Sequence, residues 1–299
     1  MKKLFSTRRN KVTKKFWKFV NEDGCSPGDF DKIEYIPGET IEVEDADPRK
    51  NIQCSSGIHC LDFSDEKYNS CNIVFGPKVA ILEVDEKDII YYKKGGKCRV
   101  KKAKVLEVKE PELWMKTGNG NSLWALNCAA YCGHHPDVMQ TIIDSQNPEQ
   151  AYSYAALNGH NEKLMQIILD SKNVRFAYLY ARYALAGHNE KIMQLIIDGS
   201  KSTSYAYLYA KHVLQGHDEK LMQVILDAQD AFYAYDYAND IIEGHDESLM
   251  QIIIDQKNPC YAYLYARDVL KGHDEKLMKI VQKDFSFKNL YEKIIPNKE

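Results

Sequence analysis

Residues 205–227 read YAYLYAKHVLQGHDEKLMQVILD, and the Gly216-His217 pair in their middle decides how the rest of the chain divides. Before the pair, Ala206, Ala210, Val213 and Leu214 recur at helical spacing and make one apolar stripe. After it, Leu221, Met222, Val224, Ile225 and Leu226 form a run that is nearly all apolar, as expected of a helix sandwiched between neighbours. Gly216 stands where the first helix should end, because glycine enters the left-handed conformation without a side-chain penalty. Asp218 then caps the second helix, its carboxylate accepting from free amides of the next turn. Glu219 falls at the positive end of the helix dipole.

The pair recurs at Gly133, Gly159, Gly187, Gly216, Gly244 and Gly272, with gaps of 26, 28, 29, 28 and 28 residues. A methionine follows each at a fixed distance, from Met139 to Met278. A fixed period of this size predicts a repeat array, here six helix pairs with the six glycines as structural turns. In the first unit, GHHPDVMQTIID puts Pro136 at the first helical position, which suits proline. His135, Asn161, Asn189, Asp218, Asp246 and Asp274 therefore line up as caps. The histidines at 134, 160, 188, 217, 245 and 273 share one place in each unit. Stacked helices would hold successive ones roughly 10 Å apart, whereas metal ligands converge within a few ångströms of one ion. We expect these histidines to brace turns and to bind no metal.

Nine residues before each of the last four glycines stands a tyrosine: Tyr178, Tyr207, Tyr235 and Tyr263. Four residues later on that face come Arg182, Lys211, Asn239 and Arg267. This spacing predicts a half-exposed tyrosine ladder beside charged groups, and tyrosine and arginine dominate binding hot spots. Packing of the rings against the adjacent helix is the competing expectation. Tyr180, Tyr209, Tyr237 and Tyr265 lie nearer the core stripe and are expected to pack.

Residues 15–110 have another character. KIEYIPGETIEVED alternates and turns at Pro37-Gly38, a hairpin signal, and VAILEVD reads as a strand. DIIYYKKGGKCRVKKAKVLEV reads as two strands around Gly95-Gly96. Within CSSGIHC (54–60), a zinc site of Cys54, His59, Cys60 and Cys71 lacks the paired short knuckles such sites show. A thiol nucleophile beside His59 lacks an evident orienting acid. A turn at Gly57 with cysteines as small apolar groups is the plainer expectation. The basic run from Lys93 to Lys104 reads as a solvated hairpin.

The chain has 299 residues and a formal net charge of -3, so it is no electrostatic glove for nucleic acid. The charge is uneven: residues 1–110 hold 22 Lys+Arg and 19 Asp+Glu, a balance of +3, and the rest hold 18 and 24, a balance of -6. We divide the chain into a basic tail (1–14), a β-rich domain (15–110), a linker (111–120), six helical repeats (121–284), and a closing helix and tail (285–299). The tail lacks the apolar core of a secretory signal, and no apolar run is long enough for a membrane span. Eight cysteines in a chain of this kind point to reduced thiols in an intracellular, cytoplasmic setting.

The units GHNEKLMQIILD, GHNEKIMQLIID and GHDEKLMQVILD, with the endings AAYCGH and AALNGH, resemble ankyrin repeats over residues 119–284. Ankyrin units run near 33 residues; these run mostly at 28, lack the Thr-Pro-Leu-His opening, and carry longer first helices in the later units, as in FAYLYARYALAGH (176–188). The stretches FWKFVNEDG, CSSGIHCLD, VAILEVD and KCRVKKAKVLEV resemble a leader domain found ahead of repeat arrays in giant-virus ankyrin proteins and in some phage or bacterial proteins. The resemblance implies an α+β multidomain chain: a small β-rich N-terminal domain followed by an all-α ankyrin-like solenoid. It also makes a viral origin plausible, with a host protein as the partner.

The expected function is a non-enzymatic protein–protein scaffold or adaptor without a cofactor, binding through Tyr178, Tyr207, Tyr235, Tyr263, Arg182, Lys211 and Arg267. A protein partner is expected; membrane and nucleic acid are not. Two alternatives stand beside it: an enzyme whose site lies around His59 in the N-terminal domain, and a structural subunit that self-assembles.

Overall fold

The computed structural model describes residues 12–27, 33–69, 73–199 and 203–294. It is an α+β protein, and the described residues form a seven-stranded antiparallel sheet followed by fourteen helices. The strands are β1 (Thr13–Val20), β2 (Thr40–Glu42), β3 (Ile58–Asp62), β4 (Lys78–Asp85), β5 (Ile89–Tyr91), β6 (Lys97–Val100) and β7 (Lys102–Lys109). Their order is β2-β7-β4-β1-β3-β6-β5.

Period-two alternation builds both faces of this sheet. On β1 and β4, Phe16, Val20, Ala80, Leu82 and Val84 join Ile58, Cys60, Cys98 and Val100 in one core. Trp17, Phe19, Val79 and Ile81 point the other way and meet Tyr68, Phe75, Met115, Trp124 and Cys128. The hairpin around Gly95-Gly96 forms as β5 and β6. The turn at Pro37-Gly38 also forms, but its second arm pairs far along the chain, with Thr40 opposite Lys104 on β7. CSSGIHC is a turn only to Gly57; His59 and Cys60 lie in β3, opposite Arg99 and Cys98.

Contacts divide the chain into residues 1–158 and 159–299. The sheet therefore shares its unit with α1 (Leu113–Thr117), α2 (Ser122–Cys132), α3 (Pro136–Ser145) and α4 (Pro148–Asn158). This corrects the expected linker at 111–120. That segment carries α1, Met115 is fully buried, and the Trp124 indole donates to the Met115 carbonyl at 2.8 Å. Trp17 lies 5.5 Å from Trp114 and 6.2 Å from Trp124, so an aromatic cluster fastens these helices to the sheet. The expected basic tail falls mostly outside the described residues, and β1 already begins at Thr13.

Gly118 tests this docking. Its φ is +59°, and a Cβ there would lie 2.5 Å from the Trp124 ring. Gly118→Ala is expected to cost about 2–4 kcal/mol, from the left-handed backbone and the clash together. The check is the urea midpoint; a loss under about 0.5 kcal/mol would mean that α1 swings free as a linker.

The second unit holds α5 (Glu162–Ser171), α6 (Val174–Tyr180), α7 (Glu190–Asp198), α8 (Thr203–Tyr209), α9 (Glu219–Ala228), α10 (Ala231–Tyr237), α11 (Glu247–Gln256), α12 (Pro259–Leu264), α13 (Glu275–Val281) and α14 (Phe285–Tyr291). In one row α6, α8, α10, α12 and α14 touch in succession; in the other, α5, α7, α9, α11 and α13 do. The second row starts at the expected caps: Asn161, Asn189, Asp218, Asp246 and Asp274 each accept from amides of the next turn.

Candidate interaction surface

The Gly-His turns are held from the following helix. In the second unit Tyr180, Tyr209, Tyr237, Tyr265 and Tyr291 are fully buried, with their hydroxyls reaching the preceding turn. Each hydroxyl accepts the cap residue's N–H, at 2.9 Å for Asp274 and 3.3 Å for Asp218. Each also lies 3.0–3.2 Å from the same residue's carbonyl oxygen. Histidine Nδ1 stands beside four of them, from 3.0 Å at His160 to 3.3 Å at His217, and the His273 ring meets Tyr291 edge-on at 5.9 Å. The far nitrogen faces the next acid, as in His217 with Glu219 at 3.3 Å. Tyr154 repeats the arrangement in the first unit with His134 and His135. The histidines thus sit on turns, each with its own tyrosine.

The glycines divide into two kinds. Gly133 and Gly159 take positive φ, 79° and 97°, although Gly133, with ψ of −166°, lies outside the expected left-handed helical conformation. At Gly187, Gly216, Gly244 and Gly272 the left-handed residue is the one before: Ala186, Gln215, Glu243 and Lys271, with φ between 52° and 55°. The cause is a two-residue insertion. Tyr154 stands five positions before its glycine, while Tyr180, Tyr209, Tyr237 and Tyr265 stand seven before theirs. The extra residues are absorbed as π turns at Ala181–Leu185, Ala210–Leu214, Ala238–Ile242 and Tyr265–Leu270. Each closes with the glycine N–H bonded to the carbonyl six residues back, as from Gly216 to Ala210 at 3.2 Å. Such turns widen a helix and recur at functional sites.

The tyrosine ladder is covered. Tyr178 and Tyr207 are only 4% and 8% exposed, which corrects the expectation of a half-exposed face there; Tyr235 and Tyr263 are half-buried. Each ring packs on an aromatic of the next unit, Tyr178 on Tyr205 at 5.9 Å, Tyr207 on Tyr233, Tyr235 on Tyr261 and Tyr263 on Phe287. What reaches solvent beside them are the π-turn residues. Arg182 lies over the Tyr178 and Tyr183 rings, Lys211 over Tyr207 and Arg267 over Tyr263.

Sequence reasoning passed over the residues that complete this edge: Tyr183, His212, Asp240 and Asp268. Each stands three residues after the buried tyrosine and four before the glycine, and alignment on the buried tyrosine also brings Tyr152 onto the ladder. An open groove of about 440 Å³ runs here between Lys211, Asn239, Asp240, Glu243, Asp268 and Lys271. Lys211 Nζ lies 2.6 Å from Asp240, whose carboxyl stays below the usual range despite partial burial because Lys211 and the Tyr207 hydroxyl hydrogen-bond to it. The Tyr207 hydroxyl is pushed up to about 12 by burial and by its bond to Asp240.

In the N-terminal domain, burial pushes the Cys60 thiol far up, which opposes a thiolate nucleophile beside His59. Among the described residues no group of three His, Cys, Asp or Glu side chains is placed to hold a metal; Cys71 lies outside them. No described helix is long and apolar enough to cross a membrane. Comparison with family models, curated proteins and solved structures gives no match.

Proposed function

We propose that the six Gly-His units form a shortened ankyrin-like solenoid serving as a protein–protein recognition scaffold. Its contact surface is the edge of the first-row helices that runs through the π turns. One observation carries this reading: the two exposed faces of residues 159–299 differ in how much they vary from unit to unit. On the second-row helices the same pairs recur, Gln166 to Asp170, Gln194 to Asp198, Gln223 to Asp227 and Gln251 to Asp255, at 2.6–2.8 Å. That face satisfies itself and repeats along α5, α7, α9 and α11 with Ser248 as a departure, while α13 has Lys279 in place of the glutamine. At the π turns the side chains change with each unit, through Arg182-Tyr183, Lys211-His212, Asn239-Asp240 and Arg267-Asp268. The repeated packing leaves these positions free to differ, so information for a particular partner resides there. A rigid array of such positions binds without bond chemistry.

The test is capture from candidate host lysate with three full-length baits. One is unaltered, one carries Arg182→Glu and Arg267→Glu, and one carries Lys163→Glu and Lys191→Glu on the opposite row. A partner kept by the first and third baits and lost, by at least tenfold, from the second supports the reading. Loss from both variants alike, or from neither, sinks it. Changing the ladder tyrosines to alanine is no test, because rings as buried as Tyr178 would be lost from the packing.

A further inference from the structure

Along residues 159–299 three successive ladder tyrosines meet the next unit, and at two of them the hydroxyl receives the chain's own carboxylate. The cation stands four residues after the tyrosine at Tyr207 and beside the carboxylate at Tyr235, where Asn239 takes the other position. The Tyr207 hydroxyl donates to Asp240 Oδ2 at 2.5 Å, and Lys211 Nζ lies 2.6 Å from that oxygen and 2.9 Å from the hydroxyl. One unit on, the Tyr235 hydroxyl donates to Asp268 Oδ2 at 2.7 Å, while Arg267 reaches both oxygens of the same carboxylate at 2.6 Å. Each filled place is therefore a carboxylate received by a tyrosine hydroxyl and a cation, a strong charge-assisted combination.

The first place has the receivers and no carboxylate. The Tyr178 hydroxyl takes a bond from Arg182 Nη1 at 2.5 Å. Where Asp240 and Asp268 stand in later units, this unit has His212. Among the described residues the Tyr178 proton has no acceptor and the His212 ring no hydrogen bond, although Tyr178 is 96% buried. The Tyr178 hydroxyl is part-buried beside Arg182, and a carboxylate there would accept from both in charge-assisted bonds. Three cationic or ionisable groups converge: after burial, Arg182 and then Lys211 hold the His212 imidazole below its usual range. Beside them Tyr183 is 52% exposed, under the Arg182 guanidinium at 5.1 Å from the ring.

We propose that the place formed by Tyr178, Arg182, Tyr183 and His212 receives a carboxylate from an acidic segment of a partner protein, in the way the chain receives its own Asp240 and Asp268. The inference rests on the recognition reading above and gives it a ligand class. Arg182 supplies the charge and the planar fork that suits a two-oxygen carboxylate, as Arg267 does for Asp268. Tyr178 supplies the proton, and the exposed Tyr183 ring covers the stem of the acidic side chain.

The experiment is calorimetric titration of the full chain at low ionic strength, with capped hexaglutamate as the probe and hexalysine and inorganic phosphate as separate arms. Saturable hexaglutamate binding is expected, weakened at least tenfold by Arg182→Gln. His212→Asp should weaken it as much while raising the thermal midpoint, because the chain then supplies the missing carboxylate itself. Lys163→Gln should leave the affinity unchanged. Arg182→Gln keeps the test decisive should His212→Asp fold poorly. Binding that both variants leave intact overturns the proposal, as does no binding, or binding of phosphate or hexalysine in place of hexaglutamate. A chain that captures a protein through its π-turn edge yet ignores hexaglutamate overturns this inference alone and leaves the scaffold reading standing.

Discussion

Tyr237→Ala is expected to destabilise the helical region by about 3–5 kcal/mol, and Tyr237→Phe by about 1–3 kcal/mol. The ring is fully buried, so its removal leaves a cavity that rigid neighbouring helices cannot fill. The hydroxyl answers for the smaller figure. It accepts from the Asp218 N–H and lies 3.2 Å from the Asp218 carbonyl, which also accepts the Met222 amide at 2.9 Å. Phenylalanine keeps the packing and strands the Asp218 N–H. His217→Ala should cost less than Tyr237→Phe, because the imidazole adds a 3.3 Å contact to a hydroxyl that the backbone already holds and a pair with the exposed Glu219, which is worth little. Since each unit is tied chiefly to its neighbours, the damage should loosen the coupling of α9 to α10 and broaden the transition. Urea unfolding followed by helical circular dichroism measures all three. A Tyr237→Phe chain within about 0.3 kcal/mol of the unaltered one, or a larger loss from His217→Ala, would show that the tyrosine is filler and not a tether.

The opening pair Gly216-His217 was legible as punctuation because it recurs six times, and local chemistry fixed the rest of the turn. Asp218 caps where a short acceptor beside free amides must cap. Other features depended on contacts that no local stretch contains. Tyr178 and Arg182 do share a face of one helix, yet whether that face is exposed depends on Tyr205 in the next unit, which lies over it. Counting from the glycine also hid the equivalence of Tyr152 to the ladder, because the two inserted residues of the later units lie between the glycine and the buried tyrosine. A π turn cannot be told from a loop by an insertion alone; what betrays it is that Ala210 and Gly216 stay bonded across it. In the sheet, alternation marked the strands, but β2 pairs with β7 some sixty residues away, a choice made by two compatible faces meeting and not by the Pro37-Gly38 turn. The segment 111–120, expected to be a linker, is docked by Trp114 and Met115 within it.

The helical region should also unfold cooperatively as pH rises from about 10 to 12. Burial raises Tyr237 and Tyr265 to about 12, more than the bond to the cap backbone lowers them, and nearby acids add to the rise. An unfolded tyrosine ionises near 10. A raised folded value means that the neutral hydroxyl is favoured by the fold, so this stability is complete below pH 10 and is lost as pH climbs through 12. Each of the two contributes about 2–3 kcal/mol over that window. Tyr180, Tyr209 and Tyr291 are raised in the same direction by the same burial, and Tyr207 reaches about 12 through burial and Asp240. Loss of two or three tethers approaches the whole stability of an ordinary domain, so ionisation and unfolding should coincide. Tyrosinate absorbance and helical circular dichroism, followed together, provide the check. Most of the 20 tyrosines should titrate in one steep step that matches loss of helix. Tyr237→Phe removes one ionisable tether and starts from a weaker fold, so its step should come at lower pH. Tyrosines that titrate gradually near 10 while the helices persist would mean that the hydroxyls are open to water and that the turns are held by something else.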